Sequence, residues 1–339
     1  MAQSHVILLE SAQSPVRAVV TSHGASILKV EVPDANGQLA DVVVGGNTLD
    51  DHKRNVACFG ATCGRVANRI RNGKFSLNGE DYQIAVNNGP NALHGGDAPF
   101  GDREWSVESV IEIDGVCQGV TFLLESPDGD GGFPGALTVR ATYLLSDDGE
   151  LSVEYTAETD RPTVVNLTNH VYWNLSGDPE STVESHDLKV SASRYLPIDE
   201  DHLATGEVLA VDGTPFDMRE GIDLGETLAL DDPQIGPMRG LDHAMAIDGD
   251  GTRCALRLTD RGTGRWMEML TNQPAVHVYT GGYLDATVPG KGGAEYRAYS
   301  GVALESENFP DAPNHPEFPS AVLNPGESYR HIIRWRFGC

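Results

Sequence analysis

Leu137-Thr138-Val139-Arg140-Ala141-Thr142-Tyr143-Leu144-Leu145 is apolar at every odd position, while Thr138, Arg140 and Thr142 between them are polar. After Asp148-Gly149, a hairpin turn signal, Leu151, Val153, Tyr155 and Ala157 alternate with Ser152, Glu154 and Thr156. A period of two places alternate side chains on opposite faces of an extended chain. These are therefore two strands of an antiparallel hairpin with one apolar face each.

The same rhythm runs through the rest of the chain. A second hairpin is written around Asn78-Gly79, between Gly73 and Val86. Further strands are expected over 26–32, 40–44, 120–125, 163–167, 187–192, 254–259, 266–271, 275–279, 301–305 and 329–337. Helical periods are scarce and short, with one over 47–53. No alternation of strands and helices appears, which argues against a parallel-sheet enzyme. No Pro/Ser-rich linker or fixed repeat divides the 339 residues. The expected fold class is all-β, a large antiparallel β-sandwich of packed sheets, with residues 1–339 forming one domain.

Composition narrows the function. Fifty Asp and Glu against 24 Lys and Arg give a formal charge of -26. Nucleic acid and anionic membrane surfaces need cationic side chains to meet phosphate, so neither is an expected partner. No apolar run approaches the roughly 18–20 residues that span a bilayer. The N-terminal stretch to Arg17 lacks the basic start of a signal peptide. Cysteines 58, 63, 117, 254 and 339 are odd in number and scattered, without zinc spacing. They read as buried free thiols in a reducing cytoplasm.

Three separate stretches carry chemistry. His94 lies in Asn91-Ala92-Leu93-His94-Gly95-Gly96, a loop whose glycines let backbone approach a ligand closely. His170 lies in Asn166-Leu167-Thr168-Asn169-His170-Val171-Tyr172-Trp173-Asn174, where an aromatic pair among polar groups suits the apolar faces and hydroxyls of a sugar. Glu305 closes the apolar run from Gly301 and enters a proline-rich loop, where lost solvation would strengthen it as a base. Alternation puts Glu305 and Glu307 on the same face, and Asp311 follows, so the residues alone leave all three open. Arg65 and Arg69 are multi-donor groups suited to hydroxyls, and Asp242 is a suitable acceptor. Each equally fits a structural ion pair.

Taken together, Gly64-Arg65-Val66-Ala67-Asn68-Arg69-Ile70, the His94 and His170 stretches, Gly240-Leu241-Asp242-His243, Tyr279-Thr280-Gly281 and Leu304-Glu305-Ser306-Glu307-Asn308-Phe309-Pro310-Asp311-Ala312 closely resemble the aldose 1-epimerase (galactose mutarotase) family. The likeness runs from about residue 15 to the end. It implies a β-sandwich and interconversion of the α and β anomers of free aldoses such as galactose or glucose. It also implies Glu305 as general base, His170 as general acid and His94 as a second catalytic histidine near the ring oxygen. Asn68, Arg69, Asp242, His277 and Tyr279 would contact substrate. His277 stands where many relatives have Gln, which bears on sugar preference. No metal or cofactor is implied, and a cytoplasmic monomer or homodimer is expected. The competing readings are a glycosidase, which would leave the histidines without a task, a hexose-phosphate 1-epimerase, and a non-catalytic sugar-binding module.

Overall fold

The computed structural model describes residues 3–54, 57–284 and 289–339. Three antiparallel sheets dominate. The largest has nine strands in the order Ser106–Ile113, Val116–Ser126, Leu137–Leu145, Leu151–Thr159, Tyr329–Gly338, Trp266–Thr271, Arg253–Asp260, His186–Val190 and Ile222–Asp223. A seven-stranded sheet runs Leu209–Ala210, Ala192–Tyr195, Asp242–Ile247, Ala275–Tyr279, Val302–Glu307, Tyr172–Trp173 and Val43–Val44. A four-stranded sheet is formed by Val6–Ser11, Ser14–Thr21, Ser26–Pro33 and Leu39–Asp41.

The opening hairpin behaves as its alternation demands. Leu137 faces Thr159 and Leu145 faces Leu151, in unbroken register. Its odd-numbered row is buried beside Leu9, Val20 and Val30 of the four-stranded sheet and Val276, Val278, Val302 and Leu304 of the seven-stranded one. Each such aliphatic side chain contributes roughly 1.5–3 kcal/mol by leaving water. The second hairpin also forms, with Leu77 opposite Glu80 across Asn78-Gly79. So does the short helix, Leu49–Lys53, where Thr48 and Asp51 close a reciprocal capping box.

Several expected segments divide because the chain changes sheet. The strand over 40–44 breaks at Val42: Leu39–Asp41 pairs with Ser26–Pro33, and Val43–Val44 with Tyr172–Trp173. The Asp41 carboxylate accepts from the backbone N–H groups of Val30 and Val43, which holds this crossover. The segment 187–192 breaks at Ser191 for the same reason. Of 163–167 only Thr163–Val164 is strand. The strand expected over 301–305 runs Val302–Glu307, so Glu305 lies inside a strand and not at the mouth of a loop. All five cysteines are free, but only Cys63 is buried; Cys254 and Cys339 are exposed.

Two aromatic and cationic assignments need correction. Trp173 is fully buried, 5.8 Å from the Trp335 ring and 5.7 Å from Phe337, so it belongs to the inter-sheet core. Neighbours in a strand point to opposite faces, and only Tyr172 of that pair reaches the opposite side. Arg65 is 1 % exposed and donates to the carbonyls of Pro134 (2.9 Å) and Gly135 (2.8 Å) and to Ser126 Oγ (2.6 Å). Arg65 ties buried loops together and contacts no ligand cleft.

Arg65→Met should therefore strip hydrogen bonds from several buried carbonyls, each worth about 1–3 kcal/mol when left unpaired. The expected loss is ~3 kcal/mol or more in unfolding free energy, measured as a lower urea midpoint.

Candidate active site

The seven-stranded sheet explains where the polar residues go. Val302, Leu304 and Ser306 alternate with Ala303, Glu305 and Glu307, and the first set faces the nine-stranded sheet through the core. The register then lines up the second set with polar partners. His277 is opposite Glu305, Tyr279 is opposite Ala303, and Tyr172 flanks Ala303 from the other side. On the next strand Asp242 is opposite Tyr279, and Ala244 is opposite His277. One face of three adjacent strands thus carries Asp242, His277, Tyr279, Glu305 and Glu307.

Loops bring the remaining groups over this face. The segment before Tyr172 fixes His170 by both backbone groups: its N–H donates to Ala61 (2.8 Å) and its carbonyl accepts from Gly60 (3.0 Å). Asn68 and His94 are left-handed residues (φ 60° and 50°) that clasp each other. His94 N–H donates to the Asn68 carbonyl, and Asn68 N–H donates to His94 Nδ1, both at 3.1 Å. Gly95 makes this approach possible. A Cβ there would lie 2.2 Å from the Gly64 carbonyl oxygen.

The result is a cavity of about 420 Å³, within the ordinary span of small-molecule sites. All eight residues expected from the sequence line it: Glu305, His170 and His94 together with Asn68, Arg69, Asp242, His277 and Tyr279. Among the wall residues that no site motif marked are His202, Cys58, Asn88 and Tyr283. His202 comes from a loop over 199–205 that no motif marks. Glu307 lies on the same strand face as Glu305, where its carboxylate accepts from Asn68 Nδ2 (2.9 Å). Asp311 lies outside, bonded to the Arg71 backbone and Asn314.

Glu305 and His170 meet directly, with Oε1 and Nε2 3.3 Å apart. Both are almost fully buried, and Glu305 Oε2 has no hydrogen-bond partner. Burial, reinforced by the Glu307 carboxylate, pushes Glu305 well above the usual carboxylate range. Burial pushes His170 the other way, down to about 4. Glu307 is pushed up to about 7, again chiefly by burial. His94 is held well below the usual histidine range by burial and by the neighbouring His170 ring, whose centroid is 5.2 Å away. Because His94 Nδ1 accepts from Asn68, the proton of the neutral ring sits on Nε2.

That tautomer bears on metal binding. Cys63, His94 and Glu305 bring potential ligand atoms within 4.8 Å of one another. With one nitrogen accepting and the other protonated, His94 has no lone pair to give, so this set suits proton donation better than coordination.

Asp242 is enclosed on both oxygens. His277 Nε2 is 2.7 Å from Oδ1, His202 Nδ1 is 3.0 Å from Oδ2, and Arg69 Nη1 is 3.9 Å from Oδ2. Burial alone would raise Asp242, but the bonds from His202 and His277 and the charge of Arg69 hold it well below the carboxylate range. Arg69 Nε also donates to Asn88 Oδ1 at 3.0 Å.

An antiparallel sandwich with a buried carboxylate against an imidazole, ringed by polar side chains in a cavity of small-molecule size, has the features of an acid/base enzyme. Residues 6–336 match the model of the aldose 1-epimerase family. The chain is 42% identical over 324 residues to galactose mutarotase of Bos taurus, covering 95% of this chain and 91% of that one. It is 36% identical over 318 residues to aldose 1-epimerase of Escherichia coli (strain K12), covering 93% and 90%. The solved structure of a GalM/aldose epimerase homologue from C. elegans superposes with a TM-score of 0.90 at 33% identity, over 99% of both chains. This chain belongs to the aldose 1-epimerase family.

Glu307→Gln keeps the acceptor for Asn68 and removes the like charge. Glu305 should then lose its proton at a lower pH, read from the shift of its carboxyl carbon in an NMR titration. An unmoved titration would show that burial alone sets Glu305.

Proposed function

We propose that Glu305 and His170 open and reclose an aldose ring by moving two protons together. The enzyme is an isomerase, an aldose 1-epimerase, and the observation that carries this reading of its site is the 3.3 Å contact between these two buried groups. Glu305 takes the proton of the C1 hydroxyl while His170 gives one to the ring oxygen. The C1–O5 bond breaks and leaves the open-chain aldehyde. Rotation about C1–C2 turns the other carbonyl face toward the ring-closing oxygen, and the two transfers then run in reverse.

The proton count balances within the pair. Transfer converts carboxylate and imidazolium into carboxylic acid and imidazole, the uncharged state that burial favours. Burial makes the ionised pair that begins ring opening the less stable arrangement, and the transfer relieves it. His94, with its proton on Nε2, is suited to donate a hydrogen bond near the ring oxygen. Arg69 and Asn88 offer hydroxyl contacts, and the Tyr172 and Tyr279 rings, 6.0 Å apart, give an apolar wall.

Free galactose is the substrate we put first, in keeping with the galactose mutarotases among the relatives. Arg69 is the one arginine or lysine among the described wall residues, and it already faces Asp242. That supports an unphosphorylated sugar over a hexose phosphate. The free thiols support a reducing cytoplasm as the setting. No described helix is long and apolar enough to cross a membrane.

Positioned acid and base groups each contribute about 10²–10⁴-fold. Glu305→Gln and His170→Asn should each slow the relaxation of freshly dissolved α-D-galactose by at least ~100-fold, followed by polarimetry, with unfolding midpoints checked in parallel. A well-folded variant of either kind that turned over at the wild-type rate would sink the assignment.

A further inference from the structure

Asp242 was the natural hydroxyl acceptor of this pocket, yet both its oxygens are engaged by imidazoles. His277 spends both ring nitrogens inside the protein: Nε2 on Asp242, and Nδ1 3.2 Å from Asn68 Nδ2. His202 differs. Its Nδ1 is on Asp242, but its Nε2 has no protein partner among the described residues, and the ring lines the cavity.

The loop that carries His202 is built to hold it there. His202 adopts a left-handed backbone (φ 59°), a conformation that costs a non-glycine residue energy and recurs at functional sites. Its N–H donates to the Asp199 carbonyl (3.0 Å), and the Asp199 side chain accepts from the N–H groups of Asp201 and Leu203. Arg71 anchors that carboxylate from outside at 2.9 Å. The Tyr283 ring meets the imidazole edge-on, with centroids 6.0 Å apart. The side chain is 22% exposed, open to a ligand yet enclosed enough that a contact is largely desolvated.

We propose that His202 is a specificity-determining contact for one sugar hydroxyl, aimed into the pocket by Asp242. With Nδ1–H given to the carboxylate, the neutral ring presents the Nε2 lone pair, an acceptor for a hydroxyl proton. Arg69 converges on the same oxygen of Asp242 that His202 holds, at 3.9 Å against 3.0 Å. One group gives a hydrogen bond and the other takes one. A hydroxyl between them has both its capacities met, and a sugar lacking that hydroxyl leaves both groups unpaired. Asp242 is on this view a positioning residue, and it is the carboxylate that makes Nδ1 the donor. The inference rests on the pocket being the aldose site described above.

The test is a substitution crossed with a substrate series. His202→Asn keeps an amide near the Nδ1 position for Asp242 but has nothing at the Nε2 position. His202→Gln can bring an amide to that second position. Anomer exchange of galactose and its singly deoxygenated analogues is followed by NMR exchange spectroscopy on wild type and both variants. His202→Asn should lower kcat/KM for galactose by about 10–100-fold, mainly through KM, and His202→Gln should recover part of it. The loss should vanish for the one analogue that lacks the partner hydroxyl. Equal losses on every sugar, or none on any, would overturn the role of His202 while leaving the isomerase reading intact. A wild-type protein inactive on the entire series would overturn both.

Discussion

Strand Val302–Glu307 is buried on both faces and still carries two carboxylates. That constraint organises everything around it. A charge taken out of water must be met by hydrogen bonds or opposite charge, or it will not stay ionised. Asp242 is met by two histidines and an arginine, and Glu307 by Asn68 on one oxygen only. Glu305 is met only in part, by the His170 ring, and one of its oxygens has no partner. Asp242 is thus a satisfied anchor beside two glutamates that each keep one unmet oxygen, and of these two Glu305 lies against the His170 ring. A firm anchor beside a chemically restless pair is what acid/base work requires, because that pair gains by exchanging protons.

The pairing also shows why the two key groups are displaced in opposite directions. Neither is paired with a strong fixed charge, so the protein interior acts on each through desolvation first. The acid form of Glu305 and the neutral form of His170 are both favoured, so the shifts carry the two proton affinities past each other and leave the carboxylate the stronger proton acceptor. Such a pair titrates as a unit, and its pH behaviour belongs to the pair. Glu307 adds a further push from within the same strand, so the local chain carries part of its own electrostatic tuning.

Much of this was written in the sequence, at different depths. The alternation from Leu137 to Ala157, turned at Asp148-Gly149, fixes two strands outright, because each has one apolar face. The runs around His94 and His170 announce ligand-binding loops through their glycines and asparagines. Glu305 and Glu307 stay indistinguishable in the chain, since both occupy the same face and only the loops folded over that face decide that one meets His170 and the other Asn68. Arg65 and Arg69 share a motif but part company in space, one to buried carbonyls and one to the cleft. Trp173 reads as a sugar platform until the strand's parity sends it to the core. His202 is illegible for a simpler reason: its loop has no periodicity, and its importance arises from Asp242, forty residues away in sequence.

The apolar residues around these groups have a consequence of their own. Ala303 lies between the rows of Tyr172 and Tyr279, and Ala244 lies beside His277. Both are buried in apolar clusters, Ala303 with Tyr172 and Leu284 and Ala244 with Leu196 and Phe318. The wall of the cleft itself adds Leu93, Tyr283 and Leu284. These wall positions take no part in proton transfer, and a change of one or two carbons there would resize the cleft while the chemistry stayed in place. Shape and reactivity are inherited separately in this scaffold, and a lineage carrying it could alter what enters without disturbing what happens inside.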